Sequence, residues 1–176
     1  MSRSLINRDL SEFYHKFHAA LDLSYARDLL KRKLQDNKAE ALTPIGEGSH
    51  FSAFRYESRL GYLCVLSVGH GKGAFSSSLL QERFYASWHH TMQCLPKFPL
   101  LPPFVLLKEQ ESYAWVQPFG ALQPEIKQEH WEPLDKRLSE LKFFLFSKGI
   151  AIDDTPQIRY WRSVPFICDL SGLRLL

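Results

Sequence analysis

The apolar period of this chain changes at Asp36-Asn37-Lys38, and that change bounds its fold class. Before it, Ile6, Leu10, Phe13, Phe17, Leu21, Tyr25, Leu29, Leu30 and Leu34 recur at helical spacing, with no proline between them. Arg8, Asp9, Glu12, Lys16, Asp22 and Arg27 fall on the opposite face. One or two amphipathic helices over residues 5–36 follow, closing in Lys31-Arg32-Lys33, whose cations suit a helix C-terminus. Acids interleave with bases on the polar face, which favours packing on a core over lying in a membrane interface. Beyond the break, residues 51–56, 62–68, 104–108 and 113–117 are short runs of β-formers set between turn residues. Helices joined to an antiparallel sheet make an α+β protein.

Composition sharpens this. With 176 residues and 45% apolar side chains, the chain can bury a real core. Its net charge of +3 is too small to demand nucleic acid, although Arg159-Tyr160-Trp161-Arg162 interleaves aromatic and basic residues. The longest apolar run, 98–107, is broken by Pro102 and Pro103 and falls short of the roughly 20 residues of a membrane span. Cys64, Cys94 and Cys168 are dispersed, without a CxxC pair, and read as free buried thiols of a reducing, cytoplasmic compartment. The histidine pairs His15/His18 and His89/His90 lack acids or cysteines at ligand spacing, which argues against zinc.

Along the chain, residues 43–50 are turn-rich, and Arg59-Leu60-Gly61 is a turn between two strands. A Gly-rich loop followed by a strand cannot aim a helix N-terminus at a phosphate. The loop 69–73 leads to a helix over 76–94 with Leu80, Phe84, Trp88 and Met92 on one face. After the breaker Pro118-Phe119-Gly120, a helix behind Pro133 carries Leu134, Leu138, Leu141 and Leu145, with Gly149 as its left-handed stop. Two short strands, around 158–161 and 164–168, form an acidic-looped hairpin at the end.

In order and spacing these motifs resemble the protein-kinase-like fold, from Ile45 onwards. Gly46-Glu47-Gly48-Ser49 resembles the glycine-rich loop that lies over ATP phosphates, with Phe51 where a third glycine is usual. The strand 63–68 resembles the one presenting a phosphate-pairing lysine, but Ser67 stands at that place. Lys72 and His70 are the nearest substitutes. Glu82 matches the glutamate of the following helix, and Gln117 lies in the strand and hinge that bind adenine through backbone groups. Asp154 matches the catalytic base. Asp169 matches the Mg²⁺-binding aspartate, with Gln157 nearest to the missing metal-binding asparagine.

The resemblance implies a helical extension over 1–40, a sheet lobe over 41–120 with one main helix, and a mostly helical C-lobe over 121–176. Only seven residues follow Asp169, so that C-lobe is expected to be truncated. ATP and Mg²⁺ are the implied cofactors. Loss of the lysine and asparagine favours a kinase-like pseudoenzyme, a regulatory or binding module with a protein partner and weak nucleotide affinity. The alternatives are a minimal phosphotransferase on a sugar, small molecule or partner protein, and an α+β interaction domain unrelated to kinases.

Overall fold

A computed structural model describes residues 2–36, 39–48, 51–69, 100–110, 112–123, 125, 134–152, 156–169 and 173–176. The expected helix over 76–94 lies outside these residues. The chain divides into two compact units. One, the sheet unit, comprises 16–82 and 103–119; the other, the hairpin unit, comprises 1–15, 83–102 and 120–176.

The N-terminal periodicity resolves into two helices, α1 (Ser2–Ala20) and α2 (Leu23–Asp36). The break has a local cause. Asp22 stands outside both helices, and its Oδ1 accepts the Tyr25 backbone N–H at 2.9 Å, a capping bond to an otherwise orphaned donor. Ala26, Leu29 and Leu30 make the buried stripe of α2, with Tyr25 and Leu34 partly buried beside it.

The sheet unit is built on five antiparallel strands: β1 (Thr43–Glu47), β2 (Phe51–Glu57), β3 (Leu63–Gly69), β4 (Val105–Glu109) and β5 (Ser112–Pro118). Their spatial order is β1-β2-β3-β5-β4. Part of the segment expected to be all turn, residues 43–47, is therefore the edge strand β1. Pro44 and Gly46 disguise it, and a bulge between them marks the irregular edge where such residues are tolerated. The Arg59-Leu60-Gly61 turn is as expected: Gly61 has φ 75° and donates its N–H to the Ser58 carbonyl.

Register assigns the two faces of this sheet. Phe54 pairs with Leu66, Tyr56 with Cys64, and Leu66 with Val116. These residues pack with Phe17, Ala26, Leu29, Leu30 and Leu107 into one core on the helix side. Paired residues share a face and neighbours along a strand alternate, so Ala53, Val65, Ser67, Trp115 and Gln117 point to the opposite side.

The hairpin unit holds α3 (Leu134–Phe146), β6 (Ile150–Ile152), β7 (Ile158–Trp161), β8 (Val164–Ile167) and β9 (Leu173–Leu175). The buried stripe of α3 is Arg137, Leu141 and Leu145; Leu134, expected on that face, is exposed. Gly149 ends the helical segment at φ 74°, in the left-handed conformation expected of it. β7 pairs with β8, and β6 pairs with β9, a strand the sequence does not announce. Phe13 of α1 stacks on Trp161 at 5.0 Å and meets Phe166 at 5.4 Å, giving this unit an aromatic core with Leu10 and Val164.

Candidate functional site

The glycine-rich segment is the turn of the β1–β2 hairpin. Gly46 pairs with Ala53 and Glu47 with Ser52; the Gly48 N–H then donates to the Phe51 carbonyl at 2.8 Å. That amide closes the hairpin. A Cβ added at Gly46 would meet nothing within 4 Å, and one at Gly48 would make only ordinary contact with the Phe51 carbonyl at 3.6 Å. Packing therefore does not require glycine at either position. Ser49 lies outside the described residues.

Beside this hairpin is a cleft of about 750 Å³. Lys33 and Leu34 of α2, Gly46 and Glu47 of β1, and Phe54 and Val68 are among its walls. The Lys33 ammonium sits 4.7 Å above the Phe54 ring. Phe54 and Val68 are on the helix-side face, whereas Ser67 and Gln117 point the other way. The structure thus separates the glycine-hairpin cleft from the two strand residues grouped with it by sequence.

On the face that carries Ser67, the arrangement is apolar and closed. Ser67, Val65 and Gln117 are all buried, and Ser67 pairs with Ala53 on one side and Trp115 on the other. The rings of Phe51 and Trp115 lie 4.2 Å apart, although β3 runs between their strands. Neighbouring strands are about 4.8 Å apart, so β2 and β5 are roughly 9–10 Å from each other. The rings can touch only by leaning inward over β3. The residues beneath them are the register partners Gly69 and Ser67, two of the smallest available. A Cβ on Gly69 would lie 3.3 Å from the Phe51 ring and 3.1 Å from the Tyr113 carbonyl oxygen.

At the hinge-like end, the Phe119 N–H donates to the Leu63 carbonyl at 3.0 Å, and Pro118 has no N–H to offer. Arg55, exposed and on the Ser67 face, lies 5.6 Å over the Phe119 ring. The nearer substitutes for a strand cation, Lys72 and His70, lie outside the described residues, as does Glu82.

In the hairpin unit, Asp169 follows β8 and is exposed, and Gln157 precedes β7. The structure brings their segments together. The Cys168 N–H donates to the Gln157 carbonyl at 2.9 Å, and Cys168 Sγ lies 3.9 Å from Gln157 Oε1. Burial pushes the Cys168 thiol up from its ordinary pKa, with Asp169 acting in the same direction and Arg159 opposing it. Asp154 lies outside the described residues. One carboxylate and one amide oxygen are hard donors that suit Mg²⁺, which commonly takes one or two protein ligands and fills its shell with phosphate and water. Among the described residues, no group of three or more His, Cys, Asp or Glu could hold a metal.

Sequence reasoning missed two features here. The Phe51–Trp115 contact is encoded only through strand register, although small residues at 67 and 69 flank the position where it crosses. Gly120, read as a simple breaker, faces Arg159 and Phe166 so closely that a Cβ would come within 2.6 Å of each.

No family model matches the chain, and the search of curated proteins gives no match. No described helix is long and apolar enough to cross a membrane.

Proposed function

We propose that this chain is a kinase-like pseudoenzyme, a regulatory binding module that takes a nucleotide-class ligand without turning it over. What supports this reading is the burial of Ser67 beside the Phe51–Trp115 ring pair, at the position where the resemblance expects a phosphate-pairing cation. Around it, the remaining order agrees with the resemblance. A glycine turn joins the first two strands, Ser67 follows on the third, and Gln117 lies on the strand beside it. In the other unit, Asp169 directly follows the β7–β8 hairpin, whose Cys168 N–H donates to the Gln157 carbonyl.

Phosphoryl transfer depends on fixed charge placed around the transferring group. A sheet that offers a buried serine in place of the cation lacks one of the main parts, while binding through apolar contacts survives its loss. Asp169 and Gln157 would hold Mg²⁺ if it enters with a nucleotide, supplying charge neutralisation to the phosphates.

Thermal-shift titrations with ATP plus Mg²⁺ and with adenosine, run beside a radiolabelled phosphate-transfer assay, test this. Saturable stabilisation by either ligand without transfer is the expected result. Transfer that disappears in Asp169→Ala would make the chain an active phosphotransferase instead. No stabilisation by either ligand at millimolar concentration would leave an interaction domain whose glycine loop is only a hairpin turn.

A further inference from the structure

We infer that the cleft between the end of α2 and the β1–β2 hairpin binds a small zwitterion of the amino-acid or short-peptide class. Lys33 takes its carboxylate, Glu47 its ammonium, and the apolar lining its side chain. The inference is independent of the nucleotide reading, because the cleft lies on the helix-side face, away from Ser67.

Two separate devices aim the charged groups at one surface. On α2 the buried stripe of Ala26, Leu29 and Leu30 continues, by helical spacing, through Lys33 and Leu34. A stripe position thus carries a cation, and its ammonium rests 4.7 Å above the Phe54 ring. On the sheet, the bulge in β1 aims the carboxylate. Pro44 pairs with Phe54 and Glu47 with Ser52, and residues 52 and 54 share the helix-side face, so Pro44 and Glu47 face it too. In a regular strand, residues three apart point to opposite faces. Ile45, the extra residue of the bulge, brings both to one side.

Lys33 and Glu47 line the same cleft, yet no ion pair joins them to each other. Leu34, Pro44, Phe54 and Val68 supply its apolar lining, and the half-buried Ser52 adds a hydroxyl beside Glu47. A volume of about 750 Å³ is that of a small-molecule site. An ammonium and a carboxylate held apart in it select a ligand that carries both charges. An apolar acid would satisfy Lys33 and desolvate Glu47 without compensation, and an apolar amine would do the reverse. A polyphosphate would meet Glu47 and the carbonyl end of α2, both negative. The zwitterion offers each group its opposite charge.

Isothermal titration of the whole chain with leucyl-phenylalanine, its N-acetyl and C-amide derivatives, and phenylalanine tests this. Saturable binding of the dipeptide is expected, with each derivative about tenfold weaker or more, since each lacks one charge-assisted contact. Phenylalanine binding as tightly as the dipeptide would assign the site to free amino acids; weaker binding would assign it to short peptides.

Lys33→Gln should weaken the dipeptide about tenfold and leave the C-amide derivative, which has no carboxylate, unchanged. Glu47→Gln should weaken the dipeptide equally and leave the N-acetyl derivative unchanged. Lys33→Arg keeps the charge and should recover most of the affinity. Unchanged circular dichroism keeps a folding defect out of the comparison. Derivatives that bind as tightly as the dipeptide, or variants that weaken every ligand alike, would overturn the inference. So would the absence of binding by both the dipeptide and phenylalanine at about 10 mM. ATP binding or its failure has no bearing on this result, so the two readings stand or fall separately.

Discussion

Gly120 lies against the ring of Phe166 with no room for a side chain: a Cβ there would come within 2.6 Å of the ring and of Arg159 Cβ. The crowding is part of a local weave. Ala121, the next residue, exchanges backbone hydrogen bonds with Tyr160 at 2.8 and 2.9 Å, and the Phe166 ring is fully buried in the aromatic core. Neither obstacle is the flexible end of a side chain, so relief requires movement of β7 or β8. Gly120→Ala should therefore destabilise the protein by about 3 kcal/mol. Gly46→Ala supplies the contrast, since its Cβ meets open space, and should stay within about 1 kcal/mol of the parent. Urea denaturation of the two variants checks both, and equal losses would contradict the difference in packing.

The Phe51–Trp115 contact gives a second expectation, independent of any ligand. Phe51→Ala removes a ring buried against the indole and leaves space above Ser67 and Gly69. Truncation of a buried phenylalanine costs about 3–5 kcal/mol, with the upper end reached where the site cannot collapse. Ser67 and Gly69 belong to the central strand, whose backbone is held on both sides, so little collapse is available. Equilibrium unfolding monitored by circular dichroism measures the loss. A change below 1 kcal/mol would mean the pair is not a structural brace.

Much of the fold is legible because its signals are local. The turn at Gly61, the stop at Gly149 and the strands around 51–56 and 113–117 follow from residue types within a few positions. The parts that escape reading depend on partners distant in sequence. β1 is hidden because Pro44 and Gly46 are poor strand residues, tolerated here because β1 is the edge of the described sheet. β9 is three residues long and exists through its ladder to β6. In α3 the apolar spacing of Leu134 and Leu138 suggests one stripe, but Arg137 takes the buried place with Leu141 and Leu145. At the candidate site, Phe51 and Ser67 read in the sequence as unrelated positions. Only the register, which sets Phe51 beside Gly69 and Trp115 beside Ser67, lets the two rings meet across β3.

Asp22 offers a test of why the N-terminal helices divide. Its Oδ1 caps α2 through the Tyr25 N–H, while Oδ2 faces the Arg59 guanidinium at 3.3 Å. The ion pair is largely exposed on the arginine side and contributes little. Asp22→Ala should lose about 1 kcal/mol, most of it from the cap. Asp22→Asn keeps an oxygen for Tyr25 and removes only the charge, so it should recover most of that loss. Chemical denaturation of the pair separates the two contributions; equal losses would assign the effect to the ion pair instead.

Cys64 makes alkaline stability depend on one buried thiol. It is fully buried in the helix-side core, its Sγ donates to the Tyr62 carbonyl at 3.7 Å, and desolvation pushes its pKa from 9.0 up to about 12. The folded chain therefore keeps the proton where the unfolded chain has released it. Stability should be flat below about pH 9, then fall progressively between pH 9 and pH 12 as the unfolded state gains thiolate. The Tyr56 hydroxyl is shifted upward as well, chiefly by desolvation, and adds to the loss above pH 10. Cys64→Ala lowers stability at pH 7.5 through the lost packing, yet its further decline between pH 8 and pH 10 should be shallower than that of the parent. Urea midpoints across that range measure the two slopes. Parallel slopes would mean that the thiol does not carry the pH dependence, leaving the Tyr56 hydroxyl to account for it.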